Sequence, residues 1–182
     1  MAECDSLYVK IPIQQEKLNE FFNSRPVPCR LDDDWKAWWD SRQMYGKESL
    51  EQIPAYLKQT NREIFDELLA GRSFVSREFY DVEAETWTFL SLFFSENYVE
   101  ILPMLSLLKN LAIYQKPDQN GIALIYDRYW GSDEVMACMI FSDQKATLTM
   151  HSDTQQLDSS WLESANQSFK RIEESVDEES EG

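Results

Sequence analysis

Carboxylates dominate the side chains of this chain that are able to do chemistry: 33 Asp and Glu stand against 17 Lys and Arg, with a single histidine and three cysteines. Two stretches concentrate them. Asp32, Asp33 and Asp34 lead into Trp35, Trp38, Trp39 and Asp40, while Glu78, Asp81, Glu83 and Glu85 interleave with Phe79 and Tyr80. Paired carboxylates can act as acid and base in glycoside hydrolysis or hold a divalent cation, but the D-x-D-x-D-G spacing of a calcium loop is absent. Recognition is the simpler use: acids meet lysine and arginine, and aromatic side chains among them anchor a partner. The expected contact set is Asp32, Asp33, Asp34, Trp38, Asp40, Glu78, Tyr80, Asp81, Glu83 and Glu85. The tryptophan spacing of i, i+3, i+4 also fits one helix face turned to the core, which is expected to claim at least two of the three.

Other chemistries lack their residues. His151 alone supplies an imidazole, and there is neither a G-x-S-x-G elbow nor a phosphate-binding glycine loop. Nucleophilic catalysis needs an activated nucleophile with a base, so no catalytic residue is assigned and His151 is read as a strand-end residue. Cys4, Cys29 and Cys138 are odd in number and have no C-x-x-C spacing, which predicts reduced thiols, no disulfide, no metal site and no cofactor. Tyr126-Asp127-Arg128-Tyr129-Trp130 reads as an aromatic sheet face with Arg128 paired to a local carboxylate.

The net charge of −16 and pI near 4.4 constrain the partners. Such a surface repels nucleic acid and anionic membrane and attracts a cationic protein. The longest apolar run, Val99 to Leu108, is broken by Glu100 and Pro103 and falls short of the about 20 residues that span a bilayer. Glu3 and Asp5 stand where a secretory signal would carry lysines. A cytoplasmic location is expected.

Positioning these groups falls to an α+β arrangement: N-terminal helices packed on a mainly antiparallel sheet, then a C-terminal helix and an acidic tail. Leu7 to Ile13 reads as a strand, with Pro12 at an edge or an end. Helix faces recur over 14–23, over 32–46 with Asp32 as N-cap, and over 60–70, where Thr60 and Glu63 form a capping box and Gly71 closes the helix in a left-handed turn. Strands are expected over 74–82, 122–130, 135–141 and 146–151, with the last three forming a meander. Residues 86–94 fit strand or helix, 98–113 a buried helix, and Asn120-Gly121 a turn at positive φ. Asp158 or Ser160 caps the last helix. A single domain over 1–172 is expected, with 173–182 disordered because it is almost wholly Glu, Ser, Asp and Gly.

In size and charge the chain resembles the general type of bacterial toxin-neutralising (immunity) protein or DNA-mimic inhibitor. That resemblance implies a binding inhibitor of a basic effector such as a nuclease, without catalysis. An accessory scaffold and a small carboxylate-dependent hydrolase are the alternatives.

Overall fold

The computed structural model describes residues 3–43 and 47–182. They form an α+β fold: five α-helices and one six-stranded antiparallel sheet in the order β2-β3-β1-β4-β5-β6. β1 (Asp5–Pro12) lies in the middle, paired with β3 (Thr86–Ser95) on one side and β4 (Gly121–Tyr126) on the other. Pro12 is its last residue and pairs only with Thr86 of β3, so its missing amide interrupts nothing on the β4 side. β2 (Ser76–Asp81) and β6 (Lys145–Leu148) are the two edges, and β5 (Val135–Ser142) joins β4 to β6 as the expected meander.

Alternation along the strands separates two cores. Leu7, Val9 and Ile11 of β1, with Trp87, Phe89, Ile125 and Met139, face α1 (Gln15–Asn23), α2 (Asp33–Ser41), α3 (Asn61–Ala70) and α4 (Tyr98–Leu111). Tyr8, Leu90, Leu124 and Cys138 face the other way, where α5 (Ser159–Glu181) packs Ala165, Phe169 and Ile172 against them. Because both faces are covered, β4 is buried throughout and β1 is apolar except at Asp5, Ser6 and Lys10. Residues 86–94, open between strand and helix on periodicity alone, are strand: this run sits between β1 and β2 and is apolar on both faces.

The local signals hold with some changes. The capping box at Thr60 and Glu63 forms. Gly71, however, ends α3 at φ −76, outside the left-handed region. A Cβ there would lie 2.6 Å from Phe74 Cδ2, so glycine serves a close approach. Asn120-Gly121 takes no positive φ either. A Cβ on Gly121 would lie 2.6 Å from the carbonyl oxygen of Lys10, and the left-handed pair sits instead at Asp143 and Gln144, in the two-residue turn joining β5 to β6. α2 stops at Ser41, short of the expected 46, where Arg42 turns extended and its amide bonds the Trp39 carbonyl; residues 44–46 lie outside the described set. β4 ends at Tyr126 rather than Trp130. The segment 173–181, expected to be disordered, continues α5. Its first residue is held by an ion pair from Arg128 to Glu173 at 3.2 Å, and a Glu-rich sequence propagates a helix already nucleated by packing.

Candidate partner-binding site

The two acidic stretches singled out in the sequence lie at opposite edges of the sheet. α2 packs beside β6, and the 78–85 segment makes β2 and its turn into β3. Five strand spacings, about 24 Å, separate those edges. Within the first stretch, Trp35, Trp38 and Trp39 are 0, 0 and 4 % exposed. Trp38 is therefore corrected from partner anchor to core residue: its indole N–H donates to the Met136 carbonyl at 3.0 Å. Asp34 accepts from Lys109 at 2.7 Å and from the Leu148 amide at 2.7 Å, tying α2 to α4 and β6. Burial raises its pKa, but the bonds it accepts outweigh that and hold it below the usual range; Asp32 is pushed up, by desolvation and then by its hydrogen bond with Asp34, against the pull of Lys109. Asp33 and Asp40 are exposed.

The second stretch divides by strand parity. Glu78 faces the helices, pairing with Arg62 at 3.1 Å and accepting from the Trp87 indole at 3.2 Å. Tyr80, half-buried, donates to the Ile13 carbonyl at 2.9 Å. Asp81 turns back to the amides of Glu83 and Ala84, both at 3.0 Å, and Glu85 pairs with Lys116. Glu83 remains exposed. Most of this set is structural, holding hairpin, helix and core together.

A denser convergence forms at one end of the strands, from residues far apart in sequence. Asp5 opens β1 opposite Ser95, the end of β3, and beside the end of β4. The loops that leave those strands bring Glu96, Asp127 and Glu134 toward it. Burial and the repulsion of Asp127, Glu134 and Glu96 push the Asp5 carboxyl up to about 7. Asp5, Glu134 and Ser152 line a cavity of ≈ 340 Å³ with Arg42. Arg42 is only 7 % exposed and is occupied by carbonyls, donating to Val135 at 2.7 Å and Met150 at 3.2 Å. The Cys4 thiol is also pushed up, by burial and then by Glu96 and Glu100.

The β4–β5 loop adds aromatic surface to this acidic end. Asp127 accepts from the amides of Trp130 at 2.7 Å and Ser132 at 2.8 Å, and Gly131 supplies a φ of 91. That turn leaves Tyr129 51 % and Trp130 37 % exposed. Their rings meet edge to face at 5.1 Å, and Tyr129 meets Phe93 at 4.9 Å. Burial raises Asp127, but hydrogen bonds from Ser132 and the turn amides prevail, and it stays below the usual carboxylate range. The sequence reading placed these aromatics on a sheet face. Only Tyr126 lies there, buried and donating to Asn166 at 2.8 Å, while Arg128 pairs with a carboxylate distant in sequence, Glu173 of α5, in place of a local one. Asp5, Glu96, Glu134, Tyr129 and Trp130 were absent from the expected contact set; the Asp127-x-x-Trp130-Gly131 turn was the one local signal for them.

The remaining candidates are quiet. His151 lies past β6 with Nδ1 at 2.8 Å from the Thr149 hydroxyl. The cysteines are free, with Cys29 Sγ donating to the Ser106 carbonyl at 3.1 Å. Among the described residues no group of three or more His, Cys, Asp or Glu is placed to hold a metal ion, and no helix is long and apolar enough to cross a membrane. No family model matches the chain, and no curated protein or solved structure matches it.

Proposed function

We propose that this protein works by binding a basic protein partner at the acidic, aromatic end of its sheet, as a toxin-neutralising (immunity) protein in the bacterial cytoplasm blocks a cationic effector such as a nuclease. The observation that carries this reading is the exposed, edge-to-face Tyr129–Trp130 pair on the loop from which Asp127 and Glu134, with Glu96, act on the Asp5 carboxyl. Aromatic anchors inside a charged rim are the usual composition of a binding hot spot. The Asp5 carboxyl, raised by burial and by its three acidic neighbours, gains most from an incoming lysine or arginine, and the −16 net charge steers such a partner from a distance. Asp33, Asp40 and Glu83 contribute to that long-range field and not to the contact itself.

The test is capture of the partner from the native host, its identification, and then binding measured with variants. Trp130→Ala should weaken binding about 30-fold through faster dissociation, the loss expected of one hot-spot anchor. Glu134→Gln should slow association, and added salt should slow it further, because exposed charges are screened beyond about 8 Å at physiological ionic strength. A cation seated beside Asp5 lowers its pKa, so binding near pH 6.5 should release a proton, detectable by calorimetry in buffers of different ionisation enthalpy. An acidic partner, or binding indifferent to salt and to Trp130, overturns the reading.

A further inference from the structure

A second site of opposite charge lies near the other end of β1, about 17 Å from Asp5 along the strand. A groove of ≈ 550 Å³ runs between the second half of α5 and strands β1 to β3. Three cations from three elements line it: Lys10 of β1, Arg77 of β2 and Arg171 of α5. In a chain with about twice as many acids as bases, none of the three forms an ion pair among the described residues. Lys10 reaches only the Ser164 hydroxyl, at 3.4 Å, and Arg77 only its neighbouring carbonyl at Ser76, at 2.9 Å. The single acid in the lining, Asp81, is committed to the amides of its own turn.

Thr88 adds a hydroxyl to the lining, while the Thr86 and Ser168 hydroxyls donate to the carbonyls of Ala84 at 3.1 Å and Ser164 at 2.9 Å, and Phe79, 55 % exposed, contributes an apolar ring to the wall. Arginine forks match the oxygens of a phosphate in bidentate fashion, the lysine ammonium adds a point charge, and the Thr88 hydroxyl offers one further donor. The volume is that of a small-molecule site. A polyanion long enough to leave the groove would run over a surface of the same sign as itself, which disfavours nucleic acid and acidic protein. We propose that this groove binds a small phosphate-bearing molecule with a planar body, a mononucleotide in chemical class, with Lys10, Arg77 and Arg171 around the phosphate and Phe79 against the plane. The site is independent of the partner-binding end of the sheet.

The experiment is titration of isotopically labelled full-length protein with AMP, adenosine, inorganic phosphate and citrate, following backbone amide resonances. AMP should shift Thr86, Thr88 and Ser168 saturably, inorganic phosphate should do so more weakly, and adenosine should not. Arg77→Ala and Arg171→Ala should each weaken AMP at least about tenfold, as loss of a charge-assisted bond does. Lys170→Ala, an exposed neighbour on α5 outside the groove, should leave the affinity unchanged. Arg171 is exposed, so its removal tests binding without threatening the fold. Absence of saturable shifts at those amides, equal affinity in the Arg171→Ala and Lys170→Ala variants, citrate binding as well as AMP, or a single-stranded oligonucleotide binding more tightly than AMP would each overturn the proposal.

Discussion

Replacing Asp5 by asparagine isolates the electrostatics of the acidic end. In the folded protein this carboxyl is raised from 3.8 to about 7, first by burial and then by Asp127, Glu134 and Glu96. A rise of about 3 units corresponds to about 4 kcal/mol at 1.36 kcal/mol per unit. The folded state thus holds a proton that the unfolded chain releases between about pH 4 and pH 7. By linkage, the stabilisation is fully present below pH 4, declines as the pH rises, and is gone above about 7. Asp34, Asp127 and Asp158 have lowered values, so their linkage has the opposite sign and is exhausted below about pH 4. Asp32 is raised as well and adds a loss of the same sign, so urea unfolding between pH 4.5 and 7.5 reads Asp5 in the difference between wild type and variant. Wild type should lose stability across that range, and Asp5→Asn should lose clearly less. Above pH 7.5 the variant should be the more stable by about 1–3 kcal/mol, less than the full 4 because a partly buried amide still needs partners. Parallel pH profiles for the two proteins would refute the reasoning, since the slope would then arise elsewhere.

Other outcomes are open to direct measurement. Lys109→Met leaves Asp32 and Asp34 facing each other without their shared cation, and should cost about 2 kcal/mol in denaturant unfolding at pH 7. Trp38→Ala removes a wholly buried indole and should cost about 3–5 kcal/mol, whereas Trp130→Ala should change stability by under about 1 kcal/mol. Thr60→Ala breaks the capping box of α3 and should lose about 1 kcal/mol. Deleting residues 176–182, beyond the last packed turn of α5, should lower the helical circular-dichroism signal while shifting the unfolding free energy by less than about 0.5 kcal/mol.

The elements were legible because their signals are local. Apolar spacing at Leu18, Phe21 and Phe22 marks α1, the Thr60–Glu63 pair marks the start of α3, and the β-rich runs after Gly121 mark the meander. The burial of all three tryptophans of α2 follows from the same 3.6-residue period. Strand order was not legible: β1 pairs with β3 and β4, which lie more than 70 residues downstream, and nothing in Asp5–Pro12 names those neighbours. The same limit applies to the grouping of charged side chains. Charge density along the chain pointed to Asp32–Asp40 and Glu78–Glu85, which the fold places at opposite edges and largely spends on Lys109, Arg62 and Lys116. The convergence of Asp5, Glu96, Asp127 and Glu134, and the grouping of Lys10, Arg77 and Arg171 in one groove, exist only once strand pairing brings distant residues together. Composition alone determined that the protein is acidic and built around a large aromatic core. Where its charge is exposed, and where it reverses sign, was decided by the tertiary structure, because electrostatic interaction depends on distance through space and not on separation along the chain.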